Sequence, residues 1–467
     1  MTTTAAAAAR PARRRGTTPP ARALAAGMLG FFMITVDVSA VNVALATVSR
    51  DLHAATAGLQ WVVDGYTLMF AALLLSAGAL SDRIGARRVY AGGVTGFTLA
   101  SIACGIAPGL GLLTGARFVQ GCAAAVMLPS SLALVRQAFS DPARRARGIA
   151  LWTGAGAVAI AAGPVVGGLL VSEWSWRGIF LINVPAGLAA LALLVRVPPS
   201  PRLPAGLDLG GQLAAVLMLG GLTYAMIEAG PAGYGAPRVL AAFAVAIAAA
   251  GAFVLAESRT AAPVVPLGLF RGRAALVVIG SGFAMNAAWY GIAFVMGLYV
   301  QQVRGASALA TGLMFVPVAV CVMLANLASP RLAARFGPAL PLVAGMLVTA
   351  AGLAGLAWAG PVWRTALLLI PLGALGASIP ALITALLERV PASQAGLAGG
   401  VLNASRQLGS AMGVALFGTL VSGTSAGAGP LAQHGSPFRG GMVASLVIGM
   451  VLLTAAAVAN AAAFRRS

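Results

Sequence analysis

Runs of about 18 to 25 apolar residues recur along almost the whole chain, and the charged residues collect in the short breaks between them. Each run is long enough to cross a hydrocarbon core of about 30 Å as a helix. The two-residue alternation of a transmembrane barrel is missing, and a spanning backbone must satisfy its own hydrogen bonds, so helices remain. The pattern predicts an all-α integral membrane protein with fourteen spans, near 22–48, 59–79, 89–108, 111–137, 148–171, 178–197, 209–229, 237–257, 274–299, 308–328, 339–359, 363–387, 395–420 and 440–463.

An even number of spans puts both termini on one side. With that side cytoplasmic, 22 of the 30 basic residues fall in cytoplasmic segments, six fall outside, and Arg117 and Arg406 lie within spans. This asymmetry predicts cytoplasmic ends. Composition agrees with a membrane setting: 60% of the 467 residues are hydrophobic and the mean hydropathy is +0.93. The formal charge of +20 is spread over many short loops instead of one folded surface, which favours contact with anionic lipid headgroups over nucleic acid. Cys104, Cys122 and Cys321 fall within predicted spans, and His53 and His434 in external loops, so neither a disulfide framework nor a metal site is expected. No phosphate-binding G-x-x-x-x-G-K-[ST] loop is present, which argues against ATP as direct energy source, and no cofactor is expected.

The loop after span 10, "SPRLAARFGPALP", faintly echoes "GALSDRIGARR" after span 2, repeating its arginines and glycine without the aspartate. This suggests a repeat of two six-span halves, 22–197 and 274–463, with spans 7 and 8 inserted in a linker, 198–273, and cytoplasmic tails at 1–21 and 464–467. Two parallel halves around a midplane cavity are a transporter arrangement. Abundant glycine and alanine favour close helix contact. High-GC codon usage, which the absence of lysine also suggests, explains that composition equally well.

Charge within "GALSDRIGARR" (residues 78–88) is dense for a chain with only 9% charged residues. The stretch resembles the signature loop of the major facilitator superfamily at Gly78, Leu80, Asp82, Arg83, Gly85, Arg87 and Arg88. The resemblance implies a loop that latches the cytoplasmic ends of the two halves in the outward-facing state; a plain topology-setting loop would explain the arginines but not Asp82. In "VDVSAVNVAL", Asp37 lies mid-span, where a charge is costly and should face a cavity, or else sit neutral and bonded to Asn42 or a neighbouring helix. Asp37, Asn42, Val43, Ala44 and Leu45 look like span 1 of the fourteen-helix drug:proton antiporters, the EmrB/QacA group.

In span 4, Arg117, Gln120, Gly121 and Pro129 resemble the superfamily's arginine motif, with Ala123 in place of a glycine. By resemblance Arg117 assists proton transfer at a nearby carboxylate; the alternative is snorkelling to the external headgroups. Gly163, Pro164, Gly167 and Gly168 resemble the end of the antiporter motif, although small residues also make ordinary interfaces. "WSWRGIFLINVPAG", through Trp176, Arg177, Phe180 and Asn183, and span 13, through Asn403, Arg406, Gln407 and Gly409, extend the likeness to the same group over nearly the whole chain. The implied fold is two six-helix bundles plus two inserted helices.

The expected function is proton-coupled efflux of hydrophobic small molecules, cationic ones among the candidates, across a bacterial cytoplasmic (inner) membrane, with no enzymatic step. Asp37, Arg117 and Asp64 are the expected proton-coupling residues, with Glu228 a weaker candidate. Asn42, Tyr66, Gln120, Trp289, Tyr290, Asn403 and Arg406 are substrate-cavity candidates, and Trp61, Phe70 and Phe294 further aromatic ones. The expected partners are a hydrophobic small molecule, protons and the bilayer, with the chain acting as a monomer. A dedicated exporter of one endogenous metabolite and a non-transporting receptor stand as alternatives.

Overall fold

The computed structural model describes residues 20–202, 208–259, 272–390, 395–423 and 436–465. The expected tail up to residue 19, parts of the linker at 203–207 and 260–271, and the loop bearing His434 lie outside the described residues. All regular structure among the described residues is helical. In chain order the helices are α1 (Pro20–Asp51), α2 (Thr56–Ile84), α3 (Ala86–Gly105), α4 (Leu110–Ala138), α5 (Pro142–Glu173), α6 (Gly178–Leu181), α7 (Asn183–Leu194), α8 (Leu209–Ala232) and α9 (Pro237–Arg259). They continue with α10 (Arg273–Leu298), α11 (Ala308–Met314), α12 (Val316–Phe336), α13 (Ala339–Gly355), α14 (Val362–Leu369), α15 (Leu375–Leu387), α16 (Ala395–Gly423) and α17 (Ser436–Arg465).

Local chemistry sets the breaks. Gly85 holds φ 100°, a left-handed conformation glycine adopts freely, and so turns the chain from α2 into α3 in one residue while its N–H closes the last turn on Ser81 O at 2.9 Å. Asp141 caps α5, accepting from Arg144 N at 2.7 Å ahead of Pro142 in the first turn. Pro317 and Pro371 lack an N–H to donate back, and the chain is interrupted beside each, between α11 and α12 and in a 3-10 turn at Ile370–Ala374.

Among the described residues eleven helical segments are long and apolar enough to cross a membrane. Three segments that hydropathy suggests as spans fall outside that set: α3, which opens on Arg87 and Arg88; the short, broken α6–α7; and α16, which carries Asn403, Arg406 and Gln407.

Helices α1 to α7 pack chiefly among themselves, as do α10 to α17. The pair α8–α9 stays together, and α8 lies on both α2 and α16, so it touches both groups. Glycine lets backbones meet: a Cβ on Gly291 of α10 would stand 2.7 Å from Gly413 O of α16.

The two groups join at the end of the bundle that carries the α1–α2 loop. There Leu309 N donates to Ser172 Oγ at 3.2 Å, Gln301 Nε2 to Val43 O at 3.0 Å, and Gln60 Nε2 to Val414 O at 3.2 Å and Ala415 O at 2.7 Å. At the opposite end, residues 78–88 contact their own side: Arg87 donates from its backbone N to Ser200 Oγ at 3.1 Å and from its guanidinium to Val195 O at 3.2 Å. Asp82 and Arg83 are exposed, and no hydrogen bond or ion pair links this loop to α10–α17 among the described residues. Between α2, α8, α9, α10 and α16, nearer this end, lies an apolar cavity of about 260 Å³ bordered by Ala71, Gln212, Leu219, Phe253 and Leu408.

Candidate functional site

Five helices of the first group converge on one buried polar cluster. Asp37 sits mid-way along α1 and is completely buried; its carboxylate meets Arg117 of α4, whose guanidinium is 1% exposed, at 2.5 Å. The carboxylate's second oxygen, Oδ1, accepts from Gln120 Nε2 at 2.9 Å and from Asn183 Nδ2 of α7 at 3.3 Å. Gln120 turns its own Oε1 to the Arg117 guanidinium at 2.7 Å and donates to Ser101 Oγ of α3 at 2.9 Å. Arg117 Nε donates to Val62 O of α2 at 2.9 Å, and the Tyr66 ring lies 4.3 Å below the guanidinium. A buried charge is tolerated only when paired and bonded in this way.

Both open questions about these residues are thereby answered. Arg117 does not reach toward headgroups, and Asp37 does not depend on Asn42, whose amide donates instead to Val38 O at 3.2 Å. Gln120 is fixed within the charge network and fully buried, so it presents no free surface to a cavity. Ser101 and Asn183 complete the cluster although neither stands among the site candidates named from the sequence. Asn183 lies in a recognisable run, whereas Ser101 is a lone serine in an apolar helix and carries no signal in the sequence.

Asp64, also completely buried, has a different environment. Its Oδ1 receives one long contact from Thr67 Oγ1 at 3.4 Å, and its Oδ2 has no partner among the described residues. Glu228 sits at the bundle end, paired with Arg238 at 3.1 Å. The aromatic candidates do not form one pocket: Trp61 packs on Phe118 and Tyr224, Phe70 and Phe294 are core residues, and Trp289 and Tyr290 remain partly exposed. Asn403 is partly exposed as well.

The antiporter-like glycines lie on the seam that closes the α1–α2 end. Gly163 and Gly167 let α5 meet α1; a Cβ on Gly167 would stand 2.9 Å from Ala40 O. Gly168 faces α11 of the other group, where a Cβ would stand 2.9 Å from Ala308 O, and the carbonyl of Pro164 abuts Gly312. Gly78, at the other end, has open space around it. Outside the spans, Asp51 accepts from Trp176 Nε1 at 2.8 Å and from Arg177 at 2.8 Å; these bonds, that from Trp176 first, hold its carboxyl below the ordinary aspartate value. Trp176, 2% exposed, is therefore a tether for the α1–α2 loop.

No group of His, Cys, Asp or Glu suited to a metal occurs among the described residues. Residues 27–414 match the Major Facilitator Superfamily. The chain is 39% identical over 415 residues to a methylenomycin A resistance protein of Streptomyces coelicolor, covering 87% of each chain. It is 37% identical over 405 residues to the multidrug resistance protein Stp of Mycobacterium tuberculosis, covering 85% of this chain and 75% of that one. The crystal structure of a bacterial homologue of the human lysosomal transporter Spinster shares the fold, with a TM-score of 0.69 at 17% identity over 96% of this chain and 98% of that one. The chain belongs to the major facilitator superfamily and is a membrane transporter, not an enzyme.

Proposed function

We propose that this protein exports hydrophobic small molecules from a bacterial cytoplasm in exchange for protons, as a fourteen-helix carrier of the EmrB/QacA type. The names of its relatives, which concern antibiotic and multidrug resistance, support the export direction. The observation that carries the coupling is the buried Asp37–Arg117 pair, a carboxylate and a fixed cation deep in the membrane. In this reading both termini are cytoplasmic, residues 22–197 and 274–463 form the two halves, and α8–α9 are the inserted pair. The joined α1–α2 end is then external and the molecule faces inward, with the Asp82 loop released.

Protonation of Asp37 removes the charge that opposes Arg117. The guanidinium keeps Val62 O, Gln120 Oε1 and the Tyr66 ring, all on α2 and α4, so α1 loses its strongest tie to them. Because α1 also backs the glycine face of α5, its movement is passed to the α5–α11 seam. Asp64, with an oxygen lacking a donor among the described residues, is the second proton-coupling candidate. Gly78, Asp82, Arg83, Gly85, Arg87 and Arg88 latch the cytoplasmic end in the opposite state.

The test is proton efflux from acidified everted vesicles on adding a panel of lipophilic compounds, cationic, neutral and anionic. Efflux evoked by any of them and lost in Asp37→Asn, at equal insertion, is expected. An equal response of native and variant chains rejects Asp37 as the coupling group, and no response to the whole panel rejects proton exchange.

A further inference from the structure

The second intramembrane arginine is placed very differently from the first. Arg406 lies about 16 Å along α16 from Ala395, at 1.5 Å per residue, too deep for its side chain to reach headgroups. It has no ion pair among the described residues. Its Nε donates to Asn286 Oδ1 of α10 at 3.3 Å, and Asn286 in turn donates to Ser410 Oγ at 3.1 Å, which fixes the amide's orientation. The guanidinium has five N–H groups, so four remain without an acceptor among the described residues.

This guanidinium is not sealed in protein. Helix α16 is flanked by α2, α8, α10, α15 and α17, and Arg406 keeps part of its surface exposed among them, while Ala404, Ser405 and Leu408 beside it border the apolar cavity. Room for the side chain comes from Gly282, where a Cβ would stand 3.0 Å from Arg406 Cγ. Tyr290, one turn beyond Asn286 on α10, is its electrostatic neighbour and partly exposed too. A cation at this depth with no carboxylate partner is an intramembrane functional position. Asp37 and Arg117 pair with each other, whereas Arg406 has no carboxylate paired with it among the described residues.

We propose that Arg406, braced by Asn286, binds an anionic oxygen group, a carboxylate in the first instance, on an otherwise apolar cargo. The planar guanidinium offers a carboxylate two parallel N–H bonds, and its field disfavours lipophilic cations. The proposal rests on the export reading for what the bound molecule is, but recognition can be measured without transport.

The experiment uses the full chain in detergent and two probes sharing one ring system, 1-pyrenebutyrate and 1-pyrenebutyltrimethylammonium, with binding followed by energy transfer from protein tryptophan to pyrene. The native protein is expected to bind the carboxylate about tenfold or more tightly than the ammonium, roughly the loss attached to one charge-assisted hydrogen bond. Arg406→Gln should abolish that preference, and Arg406→Lys should keep its sign while weakening carboxylate binding severalfold and leaving ammonium binding unchanged. The proposal is overturned if the native chain binds neither probe, if it binds the ammonium as tightly, or if carboxylate preference survives in Arg406→Gln. Should Arg406→Gln not fold, undiminished carboxylate binding by Arg406→Lys overturns it alone. Charge-selective binding without proton-coupled flux would defeat the export reading and leave the anion site; proton-coupled export of cations by a chain that prefers them would do the reverse.

Discussion

Neutralising Asp37 and Arg117 singly and together distinguishes a true buried ion pair from two charges that happen to be adjacent. In Asp37→Asn the Arg117 guanidinium stays buried with its carboxylate gone, and an amide N–H₂ is set against the donors of Arg117, Gln120 and Asn183. Removing one partner of a buried pair costs about 3–5 kcal/mol. Arg117→Gln leaves the complementary uncompensated carboxylate and should cost as much. Asp37→Asn combined with Arg117→Gln leaves no charge, so it should lose well under the sum of the two, with a coupling energy of about 2–3 kcal/mol. Thermal unfolding in detergent at a fixed scan rate reads this, at about 2 °C per kcal/mol for a large chain. Each single variant is expected to fall by on the order of 5–10 °C and the double variant to fall by about 4–6 °C less than the two single losses added together. A double variant as unstable as the two singles combined would refute the reasoning, because it would mean the charges are solvated separately.

Three further outcomes follow from the structure. Gly168→Leu places atoms where α5 meets Ala308 and Leu309, 2.9 Å from the glycine's Cβ position, and should raise passive proton leak through vesicles severalfold; an unchanged leak would show that this seam is not the barrier. Gln60→Ala removes two bonds across α2 and α16, about 1 kcal/mol each, and should reduce the population closed at the α1–α2 end roughly 5- to 30-fold by spin-label distances, with no shift if those bonds do not hold the state. The Asp51 carboxyl is held below its ordinary value, so its stabilisation is complete above pH 3.8 and is lost as pH falls through the lower folded value. Pepsin cleavage near residues 51–55 and 174–177 should therefore rise below that pH in the native chain, while Asp51→Asn should be cleaved readily throughout; identical acid profiles would reject the assignment.

Much of the architecture is legible in the sequence because lipid imposes a simple rule on it: a run of apolar residues long enough to span must be helical. Asp37 and Arg117 stand out for the same reason, as charges in the wrong solvent. Their pairing is not legible, since they are 80 residues apart and nothing local to either records which face of α1 meets α4. Gln120 resembles a cavity residue in sequence because a glutamine in a span is as well suited to a ligand as to a neighbour; only the fold shows it spent on Asp37, Arg117 and Ser101. The closure at one end is hidden too, for Gln60 and Ser172 are ordinary polar residues at helix ends until α16 and α11 are brought beside them.

The size of the pair's energy bears on how protons drive the carrier. Breaking a buried ion pair at about 3–5 kcal/mol is to be compared with about 2.3 kcal/mol for one proton crossing 100 mV. A proton driven to Asp37 through about 100 mV therefore does not release enough to leave Arg117 unpaired where it stands. Something must take over as its partner, and the local supply among the described residues is Gln120 Oε1, Val62 O and the rings of Tyr66 and Phe180. These acceptors lower the cost without removing it, so proton entry and the rearrangement of α1 against α4 have to be one event, as exchange requires. Replacing Tyr66 with Leu, which leaves the carboxylate and the guanidinium in place but withdraws the ring, should then slow proton-coupled flux by about tenfold while barely altering substrate binding; a loss of binding with turnover preserved would assign Tyr66 to the cargo and not to the proton.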